Sequence, residues 1–136
     1  MLSYEQADTM KLRIRDNSIR LRLTRSEVDT VSSEGLIAAS LPFSGGVSFD
    51  YVLESSPACV KAVAHFSNNA LTVRLPEAAV KEWAATDEVT IAGEQLLDEG
   101  GSLKILVEKD FACLSPREGE DESDMFPHPA EGQEEC

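Results

Sequence analysis

The chain has 136 residues, 42% of them hydrophobic and only 6% aromatic, which suits one domain with a modest core. A formal net charge of -13 makes the surface as a whole repel nucleic acid and anionic membrane, and no apolar run reaches the length of a membrane-spanning helix. Three widely separated cysteines, Cys59, Cys113 and Cys136, make neither a C-x-x-C pair nor an even disulfide set, so Cys59 and Cys113 read as small apolar residues.

The N-terminus lacks the basic-then-apolar order of a secretion signal, so a cytoplasmic location is expected. Residues 11–15 and 19–23 alternate polar and apolar side chains, the period of half-buried strands, and Asp16-Asn17-Ser18 between them is turn chemistry. Thr24-Arg25-Ser26-Glu27 then fits a capping box, Val28 and Val31 recur at helical spacing, and Gly35 ends a short helix. Residues 36–43 and 47–54 form two further strands across Ser44-Gly45-Gly46. A second unit follows the same plan: strands over 61–67 and 70–75 about Asn68-Asn69, a helix with Pro76 at its first position, and strands over 88–92 and 102–109 about Asp98-Glu99-Gly100-Gly101. Val80, Trp83 and Ala84 form the buried face of that helix.

The two units also match residue for residue at several points. Arg22 falls on Arg74, Leu23 on Leu75, Val28 on Val80, and Asp16-Asn17 on Asn68-Asn69. Such self-similarity marks a duplicated supersecondary unit. The expected fold is α+β and β-rich, with two pseudo-repeated ββαββ units in one domain over residues 10–114. They would close into an eight-stranded barrel or sandwich with two short helices. The halves should superpose through an approximate two-fold axis, with Val28, Val31, Val80 and Trp83 inward and Ile14 and Phe66 at equivalent core positions.

Charge is distributed unevenly. Residues 117–136 carry eight acids against Arg117 alone, so residues 115–136 read as a flexible acidic tail with too little apolar surface to offset its ordering entropy. Its candidate motif is Glu120, Asp121, Glu122, Asp124 and Phe126, with Phe126-Pro127 as an apolar anchor. At the other end, Lys11, Arg13, Arg15, Arg20, Arg22 and Arg25 place six of the twelve basic residues within fifteen positions. Strand alternation turns Lys11, Arg13 and Arg15 to one side, and Arg20 and Arg22 likewise. The corresponding positions of the second hairpin hold Val63, His65, Ser67, Thr72 and Arg74, so the repeat does not demand the basic stripe. The stripe is either a solvated face balanced by acids across the sheet or the docking face for an anion: an acidic protein surface, nucleic acid or the chain's own tail.

Catalytic signatures are sparse. His65 has no second ligand at metal spacing and His128 lies between two prolines. The chain contains no nucleophile elbow, phosphate-binding loop or dinucleotide fingerprint. The carboxylates at 120–124 lack the spacing of a calcium loop and read as a solvated run. No catalytic residue, metal or cofactor is assigned. The expectation is a non-catalytic interaction or regulatory module with an unidentified protein partner, with nucleic acid and membrane disfavoured.

The opening M-K-L-R-I-R-D-N-S-I-R-L-R-L-T-R-S-E-V and the closing E-K-D-F-A-C-L-S-P-R-E-G-E-D-E-S-D-M-F-P-H-P together resemble an uncharacterised family of small bacterial proteins, a domain of unknown function. The resemblance begins at Met10, so residues 1–9 read as an extension, and it supplies no activity. A second resemblance lies in L-T-V-R-L-P-E-A-A-V-K-E-W-A-A-T-D-E-V-T-I, which is similar to the swapped-hairpin barrel of transition-state regulators and some antitoxins. That likeness implies a DNA-binding regulator as the alternative function, although Thr86 replaces the usual turn glycine and the helix carries Glu77 and Glu82. A small-ligand barrel or an enzyme with a cryptic site is the third alternative.

Overall fold

The computed structural model describes residues 10–111 and Phe126. Strands β1 (Lys11–Arg15) and β2 (Ser18–Leu23) pair antiparallel across Asp16-Asn17, and β5 (Val63–Ser67) and β6 (Ala70–Pro76) do so across Asn68-Asn69. Asp16 (φ 51°), Asn68 (φ 52°) and Asn69 (φ 63°) adopt left-handed backbone, which aspartate and asparagine tolerate best after glycine. Helix α1 (Arg25–Glu34) starts where the Thr24 backbone N–H donates to Glu27 Oε1 at 2.9 Å. It ends at Gly35, whose left-handed φ of 85° lets its N–H donate to the Val31 carbonyl at 3.0 Å.

The remaining elements are β3 (Leu36–Pro42), β4 (Ser48–Ser56), α2 (Glu77–Ala85), β7 (Thr90–Leu96) and β8 (Ser102–Lys109). Several expected boundaries shift by one to four residues: β4 runs to Ser56 and β5 begins at Val63. Pro76 closes β6 and caps α2 in extended backbone (φ -62°, ψ 136°) instead of opening the helix. Strand β7 begins at Thr90 instead of residue 88 and continues beyond Ala92, through Gly93, to Leu96. A Cβ on Gly93 would lie 2.8 Å from the Cβ of Ala62, so only glycine lets the strand pass that buried alanine.

The eight strands form two four-stranded mixed sheets, ordered β1-β2-β8-β7 and β3-β4-β6-β5. The arrangement is sandwich-like and leaves no closed barrel, which resolves the two expected architectures. Each sheet joins the opening hairpin of one unit to the closing hairpin of the other. Its centre is a parallel pair, β2 with β8 or β4 with β6. Neither unit completes a sheet alone.

The two units make matching backbone contacts. The Asn17 carbonyl accepts the Lys104 N–H at 2.9 Å, and the Asn69 carbonyl accepts that of Asp50 at 3.0 Å. Ser55 donates to the Gly35 carbonyl at 2.9 Å, and Lys109 donates to that of Val89 at 3.1 Å. Val28, Val31, Val80 and Trp83 are all buried, in one core with Leu21, Leu23, Leu53, Val73, Leu75, Ile105 and Val107. The buried Trp83 ring donates its Nε1–H to the Val89 carbonyl at 2.8 Å, so its polar edge is satisfied.

Ile14 and Phe66 do occupy equivalent places on their hairpins, but neither is a core residue: they are 63% and 61% exposed. Both lie on edge strands beside the hairpin turns, where side chains are covered from one direction only. Phe66 stacks on Phe49 with ring centroids 6.2 Å apart.

Candidate anion-binding face

Strand register brings the basic residues into two columns on one face of the β1-β2-β8-β7 sheet. Lys11 stands opposite Arg22, Arg13 opposite Arg20, and Arg15 opposite Ser18. The parallel partner β8 extends the face, setting Lys104 beside Ser18, Leu106 beside Arg20 and Glu108 beside Arg22. Beyond it β7 adds Glu94 opposite Lys104 and Thr90 opposite Glu108. Like charges directly opposite each other repel, so the Arg13/Arg20 pair costs stability unless a counter-charge sits over it.

The six stripe residues have different neighbours. Lys11 Nζ lies 3.0 Å from Oδ2 of the buried Asp110, an anion that would be costly to leave uncompensated. Arg22 pairs with Glu108 at 3.3 Å, and Arg20 reaches the same carboxylate at 3.7 Å. Arg25 lies apart from the sheet face, its guanidinium carbon 5.0 Å from the centre of the Phe126 ring. Among the described residues, Arg13 and Arg15 form no ion pair, and both are exposed.

The other sheet shows how much of this charge the fold itself uses. There Arg74 pairs with Glu54 at 3.2 Å, the internal counterpart of Arg22 with Glu108. That ion pair is common to both sheets. The counterparts of Arg13, Arg15 and Arg20 are His65, Ser67 and Thr72, and the counterpart of Lys104 is Asp50. Asp50 accepts hydrogen bonds from Ser40 at 2.7 Å and Ser48 at 3.0 Å, whereas Ser102, where the first sheet repeats Ser48, donates to Glu94 at 2.6 Å. Four cations are therefore superimposed on a scaffold that folds without them at the equivalent positions.

Sequence reasoning missed Lys104. It joins the face through parallel pairing with a strand more than eighty positions away, and no local pattern announces that neighbour. Two hollows lie at this end of the sheet: one of about 80 Å³ lined by Arg13, Arg15, Ser18 and Arg20, and a shallow one of about 370 Å³ at the β1–β2 turn.

At the far end of β8 lies a corner with buried charge. Lys109 donates to the Thr86 carbonyl at 2.7 Å, and its ammonium sits 5.3 Å from the centre of the Phe126 ring. Burial pushes the Lys109 pKa below its ordinary value, an effect partly opposed by Asp87 and Glu88. Phe126 donates its backbone N–H to the Asp110 carbonyl at 3.0 Å and meets Phe111 edge-on at 5.7 Å. The tail acids Glu120, Asp121, Glu122 and Asp124 lie outside the described residues, as do Cys113, His128 and Cys136. Cys59 is half-buried, with its thiol 2.9 Å from the Lys61 carbonyl. The exposed His65 contacts Ser67 at 3.1 Å, and the described residues contain no cluster of metal-ligating side chains. No described helix is long and apolar enough to cross a membrane.

No curated protein and no solved structure matches the chain. A family model does, over residues 10–130, beginning at the Met10 that opens the basic stripe and extending past Phe126. The chain belongs to the family of unknown function DUF7009.

Proposed function

We propose that this protein is a binding module that takes an anionic partner on the outer face of the β1-β2-β8-β7 sheet. The observation that carries this reading is the charge difference between equivalent faces: Arg13, Arg15, Arg20 and Lys104 stand where the other sheet has His65, Ser67, Thr72 and Asp50. Arg13, Arg15 and Lys104 are exposed, and Arg20 beside them is half-buried and shares Glu108 with Arg22. These cations, absent from the equivalent face, on a chain of net charge -13, attract an anion to one place on the surface. The acidic tail is a competitor for the same charge. Phe126 sits against Arg25, and a tethered carboxylate run has an effective concentration that free ligands must exceed.

The test is calorimetric titration of the full chain with polyglutamate at low ionic strength. It is compared with a variant carrying Arg13→His, Arg15→Ser, Arg20→Thr and Lys104→Asp, the residues of the opposite sheet. The variant is expected to stay folded and to lose affinity by about tenfold or more, equivalent to roughly 1.4 kcal/mol. Equal affinity in the two proteins would refute the assigned face.

A DNA-binding regulator is the second reading; it rests on the swapped-hairpin likeness of the second unit, although the two sheets here form no closed barrel. It predicts a gel shift on host promoter DNA that survives about 150 mM salt, where exposed charges more than about 8 Å apart are largely screened. The first reading predicts no such complex.

A further inference from the structure

The smaller hollow has three guanidiniums, Arg13, Arg15 and Arg20, around about 80 Å³. The larger, of about 370 Å³, is lined by Arg15, Asp16, Asn17, Ser18, Ser102 and Lys104, and the two share Arg15 and Ser18. Hydrogen bonds tie the lining residues together. Ser18 Oγ donates to the Arg15 carbonyl at 2.7 Å, the Lys104 N–H donates to the Asn17 carbonyl at 2.9 Å, and the Asn17 amide donates to the Ser102 carbonyl at 3.4 Å. The left-handed Asp16 at the turn tip places an acid within this otherwise cationic rim.

We propose that the paired hollows bind a small phosphorylated polyhydroxyl compound, its phosphate monoester between Arg13, Arg15 and Arg20 and its hydroxylated body against Asp16, Asn17, Ser102 and Lys104. This rests on the reading of the face as an anion-binding surface and names the ligand class. A phosphate monoester brings a charge near -2 and three terminal oxygens, enough acceptors for several planar guanidinium forks, whereas a carboxylate brings one charge and two oxygens. The neighbouring hollow has the volume of a small-ligand site, in the lower part of the usual range of about 300–1,000 Å³, and each residue lining it carries a hydrogen-bonding side chain beside apolar stem surface. Asp16 sets the polarity of the second part of the ligand. Its carboxylate accepts from hydroxyl groups and repels a second phosphate, which separates a phosphorylated polyol from a polyphosphate or a nucleic-acid backbone.

The experiment records amide and arginine side-chain shifts of the full chain in parallel titrations with glucose 6-phosphate, inorganic phosphate, gluconate, polyglutamate, a phosphoserine peptide and an oligonucleotide. Glucose 6-phosphate is expected to saturate shifts at Arg13, Arg15, Ser18 and Arg20 together with Asp16, Asn17, Ser102 and Lys104. Inorganic phosphate should move the first group only, and gluconate should bind about tenfold or more weakly than glucose 6-phosphate. Arg15→Ser, which installs the residue of the equivalent position 67, should abolish both responses while keeping a dispersed spectrum. Gluconate binding as well as glucose 6-phosphate would overturn the phosphate assignment and leave the anion-binding face, read from polyglutamate, standing. Tighter binding of the phosphopeptide or oligonucleotide would overturn the small-ligand assignment. Silence toward every anion, polyglutamate included, would overturn both.

Discussion

Trp83 is the largest of the fully buried side chains and the point where α2 is fixed to the strand that follows it, through its ring and its bond to the Val89 carbonyl. Val31 fills the corresponding place on α1, so the duplicated core is asymmetric in volume at this site. Trp83→Ala is expected to cost about 3–5 kcal/mol, measured by urea unfolding, because the cavity cannot be filled by neighbouring aliphatics. A loss below about 1 kcal/mol would contradict that packing. Lys109 makes a second prediction, in pH. Its folded pKa lies below the ordinary 10.5 because of burial, so in the window between the folded value and 10.5 the unfolded chain binds more protons. This group's contribution to stability therefore rises as pH climbs through that window. In Lys109→Met the same alkaline rise should be missing from pH-dependent unfolding curves, and an unchanged profile would show that burial does not govern this lysine.

At the scale of elements, Gly93 decides whether β7 can pass under the segment that carries Ala62. Gly93→Ala forces two methyl groups to 2.8 Å and should destabilise the fold by about 1–3 kcal/mol in thermal or urea unfolding, with the β7–β8 amides most affected. A neutral effect would mean that the strand adapts freely. The same glycine shows where sequence reading stops. The hairpins, both helices, the caps at Glu27 and Gly35 and the buried set Val28, Val31, Val80 and Trp83 were legible because each depends on local period or turn chemistry. The continuation of β7 through Gly93 was not legible, because that glycine's function is a contact with a residue thirty-one positions away. Ile14 and Phe66 follow strand alternation correctly, yet alternation cannot tell a central strand from an edge, and edge position leaves both exposed. The candidate site divided the same way. Arg13, Arg15 and Arg20 were visible as one alternating stripe, while Lys104 and the Lys11–Asp110 pair needed the β2–β8 register and the return of the chain at the end of β8.

Across the whole molecule, the matching strand order of the two sheets provides an internal control. Two sheets of the same connectivity, each sharing hairpins from both units, carry outer faces of different charge, and the conserved geometry separates what the fold needs from what has been added to it. Arg22 with Glu108 repeats Arg74 with Glu54 and is framework. Arg13, Arg15, Arg20 and Lys104 have no such counterpart, and of these only Arg20 shares a carboxylate, Glu108, among the described residues. The most direct measurement is a residue-resolved map of polyanion binding. Amide shifts of the full chain are followed during titration with polyglutamate at low salt and again at about 0.5 M salt, where exposed charges are strongly screened. The anion-binding account predicts shifts confined to Arg13, Arg15, Ser18, Arg20 and Lys104, lost at the higher salt and absent from His65, Ser67, Thr72 and Asp50. Equal responses on both sheets, or none on either, would contradict it.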